Sequence, residues 1–173
     1  MFLDKDGTLV ENVPYNADPA RIVLAPGARE AVAALAGAGY RVIVVSNQPG
    51  VALGRFGEAD LERVEQRLRE LLPALDGFYW CPHAPGEGCG CRKPAAGLLE
   101  RAAREHRVDL SQSWMVGDIL DDVEAGRRAG CRTVLLDVGN ETEWQMTPER
   151  RPDHVSPHLA QVGALILREA IPA

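Results

Sequence analysis

Phe2-Leu3-Asp4-Lys5-Asp6-Gly7-Thr8-Leu9 begins with an apolar pair and runs straight into two carboxylates two residues apart. The apolar start suits a short buried strand, and Gly7 lets the chain turn sharply away from its end. At a strand end both acids can converge on one cation. One can then attack as a nucleophile while the other handles a proton. Taken alone, the same stretch also reads as a solvated acidic loop, so the rest of the chain has to decide.

Working outward, the next strong signal is Arg41-Val42-Ile43-Val44-Val45. A continuous β-branched run of this kind is the pattern of a strand buried on both faces. The spacing predicts helices over 26–36, 58–72, 95–106, 121–129 and 158–168. It predicts further strands over 78–80, 114–116 and 133–136. Segment 11–21 carries Pro14 and Pro19 and is too broken for a helix. Segment 46–57 reads as a loop at the carboxyl end of its strand, and 138–151 as a polar, irregular tail. Alternating strands and helices imply an α/β fold, a doubly wound parallel sheet, in a single domain over 1–173. Ligands bind such sheets at the carboxyl ends of the strands. Asp4, Asp6, Ser46 and Asp118 all fall at expected strand ends, so they can meet although far apart in sequence.

The 173 residues are enough for one sizeable core, and 46% hydrophobic with 25% charged residues reads as globular. A net charge of −6 lacks the basic face that nucleic-acid binding needs. It leaves a phosphate substrate open, because a metal ion and local cations can reverse the sign of a site. No apolar run is long enough to span a bilayer, and Asp4 and Asp6 interrupt any signal-like start. The expected setting is cytoplasmic, with no membrane or nucleic-acid partner, a small phosphorylated metabolite as ligand and a monomeric state.

Cys81-Pro82-His83 and Cys89-Gly90-Cys91 form two short pairs separated by residues 84–88. Three thiolates and one imidazole on a Gly/Pro loop can close a tetrahedral Cys₃His zinc site. No position is left for water, so the zinc reads as structural. Arg92 and Lys93 follow ligand Cys91 directly, so such a loop would aim two cations. Cys131 stands apart as a buried filler. Trp80, Trp114 and Trp144 read as packing or lid residues, and His106, His154 and His158 as surface residues without partners.

Four motifs in order resemble the haloacid dehalogenase superfamily of aspartyl-phosphate phosphatases. They are Asp4-Lys5-Asp6-Gly7-Thr8, Ser46-Asn47-Gln48, Cys91-Arg92-Lys93-Pro94 and Gly117-Asp118-Ile119-Leu120-Asp121-Asp122. The Cys/His loop is similar to that of the branch acting on heptose bisphosphates and histidinol phosphate. The resemblance implies a doubly wound sheet with a small flap over 11–21, a zinc-bound loop and no large cap domain. It implies Asp4 as nucleophile and Asp6 as general acid and then base. Ser46 and Lys93 would hold the phosphoryl oxygens. Mg²⁺ would be bound by Asp4, Asp118 and Asp6, the last through its carbonyl. Asp122 would hold a metal-bound water or orient Lys93, while Asp121 reads as a solvated acid. Asp118 taken alone also fits a helix N-cap, and Ser46 a turn.

The implied activity is Mg²⁺-dependent phosphomonoester hydrolysis. Residues 46–56 look like the heptose-bisphosphate loop, although Leu53 and Ile119 stand where that branch has basic residues. The short zinc spacer is similar to the histidinol-phosphate enzymes. Asn12, Tyr15, Asn47 and Gln48 are expected at the substrate, and Arg92 and Arg55 at a second phosphate. Histidinol phosphate carries an ammonium that such arginines would repel, so the 7-phosphate of a heptose 1,7-bisphosphate is the expected target. Histidinol phosphate, or another small sugar phosphate, is the alternative. A phospho-accepting signalling domain is disfavoured by Asp6, which promotes hydrolysis. A zinc-stabilised module without activity is disfavoured by the intact set Asp4, Asp6, Lys93 and Asp118.

Overall fold

A computed structural model describes residues 1–169, so the last four residues of the expected 1–173 domain lie outside the described part. The strands are β1 (Phe2–Leu3), β2 (Ile43–Asn47), β3 (Gly77–Cys81), β4 (Trp114–Gly117), β5 (Arg132–Leu136) and β6 (His154–Ser156). The helices are α1 (Ala28–Gly37), α2 (Glu58–Leu71), α3 (Gly97–His106), α4 (Leu120–Arg128) and α5 (Leu159–Glu169). All strand pairs are parallel, in the order β3-β2-β1-β4-β5-β6. Among the described residues no helix is long and apolar enough to cross a membrane.

Strand alternation explains the two covered faces. Leu3, Val44 and Val116 point to one side, where α1, α2 and α5 supply Val32, Leu35, Val64, Leu68, Val162 and Ile166. Phe2, Ile43, Val45 and Met115 point to the other, against Leu98, Leu99 and Ala102 of α3 and Ala125 of α4. The three β2 residues Ile43, Val44 and Val45 are fully buried, which is why that run shows no polar alternation. Trp114 is also core, and Cys131 packs with the second cluster.

Several expected boundaries move. α1 starts at Ala28 rather than at Pro26, because Gly27 sits in the left-handed region at φ +79 and cannot be a helical residue. β2 continues through Ser46 and Asn47, which pair with Trp80 and Cys81 of β3. Ser46 is therefore a strand residue, not part of a turn. β6 has no counterpart in the sequence reading. It is three residues long, and Asp153 ties it to β5 by accepting from the amide and hydroxyl of Thr133, at 2.7 and 3.1 Å.

Two of the supposedly unpartnered histidines have partners. His154 Nε2 lies 2.8 Å from Glu169 Oε1, and the His106 ring meets Tyr79 edge-on. His158 is exposed, as expected.

Candidate active site

The short strand β1 delivers Asp4, and the chain then turns tightly. The Lys5 carbonyl accepts from the amides of Thr8, Leu9 and Val10. Gly7 has φ +84, and a Cβ there would overlap the Asp118 carboxylate and the Asn140 amide. Glycine is thus required at this position both for its conformation and for the space it leaves.

Lys93 is the centre of the site. It is 2% exposed, yet its ammonium is fully engaged. Nζ donates to Asp4 Oδ1 at 2.5 Å and to the Val45 carbonyl at 2.9 Å, and lies 2.6 Å from Asp122 Oδ1. Burial opposes its charge, but Asp122 and Asp4 outweigh that and push its pKa up. The backbone of Lys93 is clamped as well. Asn47 Nδ2 donates to its carbonyl at 3.0 Å, and its amide donates to Asn47 Oδ1 at 2.9 Å.

The acids outnumber this lysine. Carboxylate oxygens of Asp4, Asp118 and Asp122 lie within 4.8 Å of one another. Burial, opposed by Lys93 and reinforced by the neighbouring acids, holds Asp4 well above the usual carboxylate range. Burial and the Asp122 charge raise Asp118 to about 6. Asp122 Oδ1 is buried, and its partner is the Lys93 ammonium at 2.6 Å. Three crowded, buried carboxylates sharing one lysine fit a hard divalent cation with oxygen ligands. The Asp6 carboxylate is not in this group. It accepts from Lys5 Nζ at 2.6 Å and from Gln48 Nε2 at 3.0 Å, which hold it apart from the three crowded acids.

The Cys/His loop closes on itself. Cys81 Sγ lies 3.1 Å from Cys91 Sγ and 3.6 Å from Cys89 Sγ, and His83 Nδ1 is 3.3 Å from both Cys81 and Cys91. A tetrahedron with bonds of about 2.0–2.3 Å has edges of roughly 3.3–3.8 Å, and every quoted edge but the shorter Cys81–Cys91 one lies in that range, so the four donors are grouped as one zinc ion would need.

Residues 90–162 match the family model described as HAD-hydrolase-like. The D-glycero-beta-D-manno-heptose-1,7-bisphosphate 7-phosphatase of Pseudomonas aeruginosa is 35% identical over 97% of this chain and 97% of its own length. That of Pseudomonas putida is 38% identical over 80% of this chain and 82% of its own. Among solved structures, the D,D-heptose 1,7-bisphosphate phosphatase of B. bronchiseptica, complexed with magnesium and phosphate, superposes with a TM-score of 0.83. It is 32% identical, and 98% of each chain is covered. The chain belongs to the heptose-bisphosphate phosphatase family of HAD-like hydrolases.

Other residues expected at the site divide into groups. Ser46 and Gln48 lie beside the acids of this HAD-like site, with Gln48 Nε2 donating to Ser46 Oγ at 2.8 Å as well as to Asp6. Asn47, expected at the substrate, has its amide engaged with Lys93. Arg92 and Lys93 share the wall of a cavity of about 360 Å³ with Asp121 and Arg150. Asp121 is not the solvated acid the sequence implied, since Arg150 pairs with it at 2.9 Å. Asn12 and Tyr15, grouped together from sequence, line different cavities. Asn12 faces one of about 450 Å³ with Gly7, Asn140 and His158. Tyr15 lies in another with Arg55, whose guanidinium stacks on its ring at 4.2 Å.

Sequence reasoning missed Lys5, which is buried against Asp6, and also Asn140, Glu141 and Arg150. Lys5 lies inside the first motif and could have been read there. The others sit in a segment without periodicity, which gave no signal.

Proposed function

We propose that this protein is a Mg²⁺-dependent phosphomonoesterase that removes the 7-phosphate of D-glycero-D-manno-heptose 1,7-bisphosphate. Its relatives carry that name over nearly the whole chain. The observation that carries the choice of substrate is the cavity in which Arg92 stands beside Lys93, Arg150 in the same wall being held by Asp121 and Glu124. A bisphosphate needs cations beyond the reaction centre, and guanidinium forks suit a second phosphate. Histidinol phosphate would bring an ammonium there instead.

The reaction follows from the donors. An Asp4 carboxylate oxygen attacks phosphorus, forming the aspartyl-phosphate, and the bond from phosphorus to O7 breaks. Asp6 gives its proton to O7, and Gln48 and Lys5 hold its carboxyl in place. Water then attacks the phosphorus, Asp6 takes its proton, and the Asp4–phosphorus bond breaks to release phosphate. Ser46 and Lys93 hold the phosphoryl oxygens through both steps. Mg²⁺ bound by Asp4, the Asp6 carbonyl and Asp118 supplies charge neutralisation between two anions that would otherwise repel. The Cys81, His83, Cys89 and Cys91 loop holds zinc and fixes Arg92 and Lys93. The enzyme works as a cytoplasmic monomer, where its four cysteines, none of them in a disulfide, stay reduced.

A kcat/KM panel over both heptose bisphosphate anomers, histidinol phosphate and simple sugar phosphates tests the reading. The expected order puts a heptose bisphosphate first, with Arg92→Ala narrowing that preference more than it slows a monophosphate. Faster turnover of histidinol phosphate by the wild-type enzyme overturns it.

A further inference from the structure

We propose that Asn140 and Glu141, in the loop after β5, are positioning residues that hold Asp118 ready for the divalent cation; this rests on the Mg²⁺ reading above. Asp118 is 4% exposed. Its Oδ2 accepts from Asn140 Nδ2 at 2.7 Å, whereas its other oxygen meets the Thr8 hydroxyl at the longer distance of 3.4 Å. The orientation of the Asn140 amide is set by chemistry, because a carboxylate can only accept and the nitrogen must face it.

The next residue acts on the next peptides. Glu141 Oε2 accepts from the Leu120 amide at 2.5 Å. Leu120 is the first residue of α4, whose N-cap Ile119 has no side-chain oxygen to offer. A carboxylate at this end also meets the positive pole of the helix. Two consecutive residues of one loop therefore grip residues 118 and 120, on either side of Ile119. Gly7 closes over the same pair, leaving no room for a Cβ between its backbone, Asp118 and Asn140.

The arrangement has a physical purpose. Lys93 neutralises Asp4 and Asp122 but has no ion pair with Asp118. Asp118 faces like charges, and an unheld side chain would swing away from them. A cationic partner would hold it but would compete with a metal for its charge. A neutral amide fixes the rotamer and leaves the charge available, as hydrogen-bond partners of metal ligands commonly do.

Calorimetric titration of Mg²⁺ into metal-free wild type, Asn140→Ala, Asn140→Leu and Glu141→Ala tests this without reference to turnover. Both Asn140 variants are expected to raise the Mg²⁺ Kd by about 10–100-fold, with a smaller rise for Glu141→Ala. The Mg²⁺ concentration for half-maximal hydrolysis should rise by the same factor, with kcat recovering as Mg²⁺ is raised. Circular dichroism and zinc content establish that each variant is folded. If the Asn140 variants do not fold, Glu141→Ala carries the test. A wild-type Kd in a folded Asn140 variant, or in Glu141→Ala, overturns that residue's role. Wild-type protein that binds no Mg²⁺ would instead overturn the Mg²⁺ reading, and this proposal with it.

Discussion

Lys93 shows how much one side chain decides. Its buried ammonium faces three acceptors, and the two acids among them would be uncompensated without it. Lys93→Met should lower stability at pH 7 by about 3–5 kcal/mol, the usual cost of breaking a buried pair from one side. The sign of its pH dependence follows from the acids. Asp4 is already held above the usual carboxylate range by burial, and losing the lysine raises it further, so the native state keeps its stability near pH 4 and loses it as pH rises. Urea unfolding at pH 5 and 7 should therefore show the smaller loss at pH 5. Asp4→Asn should fold normally, since it removes one of the crowded charges, but lower kcat by about 10⁴-fold or more because an amide cannot attack phosphorus. Asp6→Asn should cost about 10²–10⁴-fold, the range for a general acid and base. Single-turnover assays at saturating Mg²⁺ distinguish these two losses from weakened binding.

At the scale of elements, β2 matters because it runs two residues past its apolar part. Those two residues put the Ser46 hydroxyl beside Gln48 and let the Asn47 amide hold the Lys93 backbone. Asn47→Ala leaves an amide and a carbonyl unpaired and should cost about 1–3 kcal/mol. Chemical denaturation measures that loss, and a fall in kcat should accompany it as Lys93 loses its place. Asp76 serves the other end of β2. It accepts from the Val42 amide at 2.8 Å and from Arg41 at 2.6 Å, joining the α2–β3 turn to the strand. Burial alone would raise its pKa, but these two donors outweigh it and hold the carboxyl below its usual range. A depressed folded pKa gives stability that is present above about pH 4 and is lost as pH falls. Asp76→Asn should therefore weaken the protein at pH 6 and flatten the acid limb of its stability curve, read from thermal midpoints between pH 2 and 6.

For the whole molecule, two ions divide the work. A Mg²⁺ ion held at the proposed site would relieve the crowding of Asp4, Asp118 and Asp122 in the folded chain, so saturating Mg²⁺ should raise the thermal midpoint. At 100 times its Kd the gain is about 2.7 kcal/mol. Zinc belongs to the loop after β3, which carries Arg92 and Lys93. Metal analysis should find one zinc per chain that survives mild chelation. Forced removal should abolish turnover and lower the thermal midpoint, because Cys81 belongs to the second core cluster and Cys89 and Cys91 pack against it. A protein without zinc that retains full activity would show that the loop is held by its peptide contacts alone.

Much of this was legible in the sequence because it is local. The β-branched run of β2 could only suit burial on two faces, and strand–helix alternation implied the parallel sheet. Acids and a serine at strand ends pointed to one edge of that sheet, and the Cys/His spacing pointed to one ion. Other features depended on long-range packing. β6 forms from a short, patternless stretch because β5 and Asp153 hold it there. Asn12 and Tyr15 part into separate cavities because the flap turns between them. Packing chose, between the two roles implied for Asp122, the one that faces Lys93, and only packing decided that Asn47 holds Lys93 and that Asn140 and Glu141 reach Asp118 and α4. Periodicity records which face of an element is buried, whereas a hydrogen bond across the sheet depends on where separate elements come to rest against one another.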